Sequence, residues 1–409
     1  MFRLIREADL ALRFYGPERL ILSRRNGSRY GVTGHLASLF HKILDTSDLA
    51  SLYRLASQEA EVEGPLRPLA GTFRSLLSKL DQTTPRGHGD LLNKVSGLAT
   101  YSMQQRVPVF GLFEITYVCN LRCEHCYVLH KVSEHQPAQL DPATCRRVLE
   151  SLAELGCLDV TLSGGETTLH RDYRSVLSYA KDLHLYTALK TNAITMTQRN
   201  AEIYAEDPAH ETHVSLHGST ADVHDRMTAI PGSFEKTIAG LRALAAVGIQ
   251  CKIFVTIWKD NAHQLSEMKD LIEGLGHTAR WDDIIHGRLN GDSSPRDLRI
   301  SAEVRSRLVD EGFLRPFIPS PCSAGAMKLK VSAEGGVTTC ELLPEAFGNI
   351  HRNSLEDIWR SESLSGYGTR IREIAKAPTG LLPIVSSQKN ACPGLNLLNT
   401  GRLEGETTL

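Results

Sequence analysis

Residues 116–127 read Thr116-Tyr117-Val118-Cys119-Asn120-Leu121-Arg122-Cys123-Glu124-His125-Cys126-Tyr127. They follow a run, Phe110 to Thr116, whose apolar and β-favouring residues predict a buried strand. Three cysteines therefore leave one loop at the end of that strand. Soft thiolates select zinc or iron–sulfur clusters, and a cubane held by only three cysteines keeps one iron open. On the residues alone, a zinc site completed by His125 or His130 is the alternative. Structural zinc sites, however, tend to arrive as two paired knuckles, and this loop stands alone.

Outward from the loop, the pattern strand, loop, helix repeats to about Arg288. Leu158 to Ser163, Tyr186 to Thr191, His213 to Leu216, Cys251 to Ile257 and a weaker Arg280 to His286 are predicted strands. Helices such as Cys145 to Gly156 and Ser233 to Val247 separate them. Six such units predict an α/β fold, a partial (β/α)6 parallel barrel over 108–310. Ligands of parallel sheets bind where the strands end, so the chemistry is expected just after each strand. Ser163-Gly164-Gly165-Glu166 stands there after the second strand, with glycines that admit a close backbone approach and a carboxylate able to accept from an ammonium. Thr191-Asn192 follows the third strand and Ser215-Leu216-His217-Gly218 the fourth; Arg226 comes shortly after. His217 suits an acid or base near neutral pH, or simply a loop residue.

Before the barrel, residues 1–95 read as a compact α+β module and linker. Leu20 to Ser23 and Tyr30 to Thr33 predict a hairpin around Asn26-Gly27. Helices are expected at Leu36 to Ile43, over Leu49 to Ala60, and on the face of Leu69, Phe73, Leu76 and Leu80, with a linker from Asp81 to Asp90. A hairpin with three helices is winged-helix-like. Residues 1–106 hold 15 basic and 10 acidic side chains, but no dense basic helix, which argues against nucleic acid. After the barrel, residues 319–395 form a small α+β region with strands near Lys328 to Ser332 and Val337 to Thr339 and a helix at Ser354 to Arg360; 396–409 is a tail.

Across all 409 residues, 46 basic and 47 acidic side chains give a net charge of −1 with 41% hydrophobic residues. That balance fits neither a nucleic-acid cation nor a disordered acidic chain. No stretch is apolar for long enough to span a membrane, and the charged N-terminus does not read as a signal peptide, so a cytoplasmic protein without membrane association is expected. In a reducing compartment clustered thiols hold metal or do chemistry. Cys145, Cys157 and Cys251, isolated in apolar segments, read as buried packing residues.

Cys119, Cys123 and Cys126, spaced by three and two residues and closed by Tyr127, resemble the signature of the radical S-adenosylmethionine superfamily. The resemblance implies a [4Fe–4S] cluster whose open iron chelates S-adenosylmethionine, with Gly164, Gly165 and Glu166 holding the methionine amino group. It implies polar cofactor contacts from Asn192 and Ser215, and carboxylate pairing by Arg226. Many relatives carry Asp where this chain has His217. Cys322, twelve residues, Gly335, four residues, Cys340, then Gly348-Asn349-Ile350 and Trp359, resembles the twitch or SPASM extension of such enzymes. That implies one auxiliary [4Fe–4S] cluster on Cys322, Cys340 and Cys392, with the fourth iron position left for substrate, water or another side chain. The N-terminal module resembles the peptide-recognition element of ribosomal-peptide maturases, in which a leader adds a strand to a sheet edge.

Taken together, the chain resembles a sactipeptide-type maturase. The implied reaction begins when a donor such as flavodoxin or ferredoxin reduces the first cluster. A 5′-deoxyadenosyl radical then removes a hydrogen from a precursor peptide bound through its leader, and an intramolecular crosslink forms, with a cysteine thioether favoured. Carbon–carbon or carbon–oxygen crosslinking, epimerisation, a radical dehydrogenase of a small alcohol or protein side chain, and a metal-stabilised peptide-binding adaptor are the other readings.

Overall fold

The computed structural model describes residues 2–7, 9–44, 67–83, 95–316, 322–376, 389–390, 392, 397–398 and 407–408. The N-terminal module is a four-stranded antiparallel sheet in the order β1 (Phe2–Glu7), β2 (Leu10–Tyr15), β3 (Arg19–Arg24), β4 (Arg29–Thr33). The expected hairpin is β3–β4; two further strands precede it. Along β2, Leu10, Leu12 and Phe14 face one side, where they pack with Phe40 of the helix His35–Ile43 and Phe73, Leu76 and Leu80 of the helix Arg67–Asp81. Tyr15 leaves the other side and packs with Ile21, Leu98 and Leu158. A strand buried on both faces loses its polar alternation, which is why β2 does not stand out in the sequence. The expected helix over 49–60 and most of the 81–90 linker lie outside the described residues.

The barrel consists of β5 (Phe110–Thr116), β6 (Asp159–Gly164), β7 (Tyr186–Thr191), β8 (Glu211–Ser215), β9 (Cys251–Thr256) and β10 (Thr278–Asp282), all parallel to their neighbours. The last strand ends earlier than the sequence pattern places it. Connecting helices start on ordinary signals: Asp141 caps Pro142–Glu154 by accepting from the Thr144 amide at 2.9 Å, with Pro142 in the first turn. Cys145, Cys157 and Cys251 sit in the core, as their surroundings predict.

The two strands expected in the C-terminal region extend the barrel sheet: β11 (Lys328–Val331) adds parallel to β5, and β12 (Val337–Thr338) pairs antiparallel with β11, so the sheet continues to eight strands. A helix at Glu362–Lys376, absent from the sequence reading, follows the helix Leu355–Arg360. Trp359 fastens this region to the barrel: its indole donates to the Arg106 carbonyl at 2.8 Å, and Arg106 returns a bond to the Trp359 carbonyl at 2.7 Å.

The module is docked on the N-terminal ends of the barrel strands. Tyr15 donates to the Gly156 carbonyl at 2.7 Å, and the fully buried Arg13 to the Leu183 carbonyl at 2.9 Å. Arg29 forms a buried ion pair with Asp159, the first residue of β6, and lies over the ring of Tyr186, the first residue of β7. Arg25 pairs with Asp182 and Asp207. Among the described residues, no helix is long and apolar enough to cross a membrane.

Candidate active site

At the opposite end of the strands, a cavity of about 430 Å³ opens, within the range of small-molecule sites. It is lined by Cys119, Cys123, Cys126 and Tyr127 from the loop after β5, by Gly164, Gly165 and Glu166 after β6, by Asn192 after β7 and by Ser215 at the end of β8. Nine of the ten residues expected around the first cluster and its cofactor thus meet in one place. Arg226 does not. It stands on the exposed side of the helix Ala221–Thr228, paired with Asp222 at 2.7 Å and Asp260 at 2.8 Å, and lies outside the cavity lining.

The two glycines have a second reason to be glycine. A Cβ on Gly164 would lie 2.0 Å from the Thr116 carbonyl oxygen, and one on Gly165 2.5 Å from that of Val118; Gly164 also has φ +138°. The strand end presses directly on the cysteine loop, with the Gly165 amide donating to Thr116 and that of Glu166 to Val118, at 2.7 and 2.8 Å. Close approach to a neighbouring backbone, not only to a ligand, dictates the pair.

Glu166 is buried, and its carboxylate accepts from the Thr191 hydroxyl at 2.6 Å, the Asn192 amide at 2.6 Å and the Thr168 amide and hydroxyl. Burial raises its pKa while these donors oppose the rise. The carboxylate is thereby fixed in orientation before any ligand arrives. Asn192 in turn donates to Asn120 of the cysteine loop at 2.7 Å.

The thiols are poised for a cationic centre. Burial pushes all three up, Cys126 to about 12, and Cys119 and Cys126 raise Cys123 further. Three clustered, half-buried thiolates are tolerable only with positive charge among them, which is what metal coordination supplies. The donor set, loop geometry and cavity fit an iron–sulfur cluster with S-adenosylmethionine beside it.

Sequence reading named His125 and His217 singly and missed His224 and much of the remaining wall. His217 lies between His125, edge-on at 4.9 Å, and His224, tilted at 5.5 Å, and burial holds His125 and His224 down at about 4 and His217 well below its ordinary value. These are neutral imidazoles. The His217 carbonyl accepts from Trp258 and Asn261, both at 3.1 Å, while its Nδ1 has no partner among the described residues. Lys190, Asp282, His286 and Glu341 also line the cavity. The usable signal was a polar residue at the inward register near a strand end, as Lys190 is on β7 and Asp282 on β10.

Cys322, Cys340 and Cys392 are brought together: Cys392 is near enough for its charge to bear on both other thiols, and Cys322 and Cys340 pack against one cluster of Ala324, Leu343 and Ile371. Glu341 and Leu342, directly after Cys340, belong to the cavity wall.

Comparison with known families agrees with this arrangement. The model described as the radical SAM superfamily matches residues 113–272, and one described as an iron–sulfur cluster-binding domain, SPASM, matches 322–378. The chain belongs to the radical SAM superfamily and carries a SPASM domain. With that membership come a [4Fe–4S] cluster and S-adenosylmethionine at the first site, and iron–sulfur binding in the SPASM domain. This radical SAM protein is 28% identical over 276 residues to the antilisterial bacteriocin subtilosin biosynthesis protein AlbA of Bacillus subtilis, covering 62% of this chain and 60% of AlbA, less than two thirds of that relative's length. It is 28% identical over 283 residues to the mycofactocin maturase MftC of Mycobacterium tuberculosis, covering 63% of this chain and 71% of MftC. Among solved structures, Streptococcus suis SuiB bound to S-adenosylmethionine superposes with a TM-score of 0.57 at 16% identity, over 92% of each chain. SuiB bound to its precursor peptide SuiA gives 0.56 at 16% identity, over 97% of this chain and 94% of that one. These likenesses show the fold.

Proposed function

We propose that this radical SAM protein modifies a ribosomally made precursor peptide and closes an intramolecular crosslink in it, a cysteine thioether. The observation that carries the reading is that the second cysteine group adjoins the cavity of the first: Cys119, Cys123 and Cys126 line it, and so do Glu341 and Leu342, the two residues that follow Cys340. AlbA, named for bacteriocin biosynthesis, and MftC, named a maturase, support a peptide substrate.

When bound and reduced, the first cluster with S-adenosylmethionine supplies a carbon radical that removes a hydrogen atom, and the auxiliary cluster supplies an acceptor for one electron. The chain's residues do the rest. Cys119, Cys123 and Cys126 hold the first cluster, while Cys322, Cys340 and Cys392 hold one auxiliary cluster and leave one position for a substrate thiol. Glu166, locked by Thr168, Thr191 and Asn192, accepts from the cofactor ammonium, with Gly164, Gly165, Asn192 and Ser215 around it. The barrel wall keeps water from the reacting carbon. The substrate loses one C–H hydrogen atom and one S–H proton, and gains one C–S bond. The N-terminal module takes the leader on a strand edge, and a flavodoxin- or ferredoxin-type donor supplies electrons.

The test is anaerobic reconstitution, an iron count, and turnover with dithionite, S-adenosylmethionine and any short peptide found encoded beside the gene. A peptide lighter by two hydrogens whose cysteine no longer alkylates is the expected product. The same mass loss with a free, alkylatable cysteine would point instead to a carbon–carbon or carbon–oxygen bond. An unchanged peptide alongside 5′-deoxyadenosine formation would remove the peptide reading and leave the radical chemistry.

A further inference from the structure

The strand β11 reaches both cysteine groups. Lys328 and Lys330 are two positions apart on it, so their side chains leave the same face. Lys328 pairs with Glu341, the residue after Cys340, at 2.6 Å. Lys330 is almost wholly buried, and its ammonium stands 3.0 Å from a carboxylate oxygen of Glu114, which is fully buried on β5. That same oxygen accepts from the Tyr127 hydroxyl, and the other accepts from Tyr117 at 2.8 Å. The Lys330 ammonium also lies 5.2 Å from the centre of the Tyr127 ring. Past the strand, Ala333 packs with Tyr117, Val128 and Val132, and Glu334 pairs with Lys131.

Each partner in this group depends on the others. A carboxylate without solvent is tolerable only when paired and hydrogen-bonded, and Lys330 supplies the one full positive charge bonded to Glu114 among the described residues. Glu114 in turn fixes two phenols at the two ends of the cysteine loop. Tyr117 stands two residues before Cys119, and Tyr127 directly after Cys126. A side chain of the SPASM domain thus connects, through one buried carboxylate, to both ends of the first thiol loop.

We propose that Lys330 is a positioning residue for the radical cluster: from the SPASM domain, through Glu114, it holds both ends of the loop that carries Cys119, Cys123 and Cys126. The radical site is then complete only with β11 in place beside β5, and the two metal regions share one strand, Lys328 facing the second and Lys330 the first. The proposal rests on the superfamily membership and on these three cysteines as ligands; it does not depend on the peptide or the thioether.

The test uses the full chain, reconstituted anaerobically, with Lys330→Met, Lys330→Arg and Tyr127→Phe. The readouts are the electron paramagnetic resonance spectrum of the reduced first cluster with and without S-adenosylmethionine, the dissociation constant for S-adenosylmethionine, and hydrogen–deuterium exchange over residues 117–132 before reconstitution. Lys330→Met and Tyr127→Phe are expected to change the spectral response to S-adenosylmethionine, weaken its binding about tenfold, the equivalent of one lost hydrogen bond, and speed exchange in the loop while β6 to β9 stay protected. Lys330→Arg is expected to keep the parent spectrum. Parent-like spectra and affinity in both Lys330→Met and Tyr127→Phe overturn the proposal, as does exchange that rises equally throughout the barrel, which would make Lys330 a general stabiliser. If Lys330→Met fails to fold, Tyr127→Phe decides, since it removes one hydroxyl. No peptide is present, so failure of the peptide reading leaves these outcomes unaffected.

Discussion

Arg226 and His217 show how far a motif carries a single residue. Arg226 satisfies its guanidinium with two surface carboxylates, so Arg226→Ala is expected to bind S-adenosylmethionine like the parent in equilibrium dialysis. His217→Ala, which removes a buried ring with an unpartnered nitrogen from the cavity wall, is expected to weaken that binding about tenfold. The cysteines and the Gly-Gly-Glu segment were legible because each is contiguous in the chain. The grouping of His125 with His217 and His224 was not, because the loop after β5 has to fold against the loop and helix that follow β8 before it exists. Gly164 is expected from the sequence to approach a ligand, and the structure adds a close approach to the Thr116 carbonyl. Gly164→Ala, with its Cβ against the Thr116 carbonyl and a φ that disfavours side chains, is expected to cost about 1–3 kcal/mol in denaturant titration and to lower iron incorporation.

Among the elements, the helix Ser233–Ala246 has a part in the site that its amphipathic pattern does not announce. A Cβ on its Gly240 would come 2.1 Å from the Ala193 carbonyl, and its Thr237 donates to the Asn192 carbonyl at 3.1 Å. Gly240→Ala is therefore expected to push the helix off the turn that presents Asn192, raising the dissociation constant for S-adenosylmethionine while leaving the SPASM cysteines undisturbed; separate iron counts on variants lacking one cysteine group would show this. Barrel strands were legible from their apolar runs and the breaks between them. The N-terminal strands β1 and β2 and the joining of β11 to β5 were not. β2 is covered on both faces, and pairing between strands more than two hundred residues apart leaves no local trace in sequence.

The whole molecule depends on the seam between module and barrel. Burial holds His184 and His210 down at about 4; Arg13 adds to this at His184, while Lys181 and Arg29, partly offset by Asp159, bear on His210. Because the unfolded imidazoles take protons near 6.5 and the folded ones only near 4, this stability is present above about pH 6.5 and is lost as the pH falls from there toward 4. The melting temperature is expected to drop over that window, with a shallower fall in His210→Gln. Asp159→Ala, which removes the carboxylate from the buried Arg29, is expected to destabilise by about 3–5 kcal/mol. Deleting the module would expose this seam, so point changes on its outer strands give a cleaner separation of leader binding from folding than truncation does.

The seam lies at one end of the barrel strands and the thiol cavity at the other, which turns the barrel into a measuring rod. A strand such as Phe110–Thr116 rises about 3.3 Å per residue, so the two ends are separated by roughly 20 Å. A peptide gripped by the module would need at least about seven extended residues before any of its atoms came within reach of the cavity, and more if it ran around the outside. Within that reach, delivery is intramolecular and the local concentration of the acceptor residue is high; short of it, the concentration falls to nothing. The position of the modified residue along its peptide would then be set by distance from the grip as well as by the chemistry of the side chain.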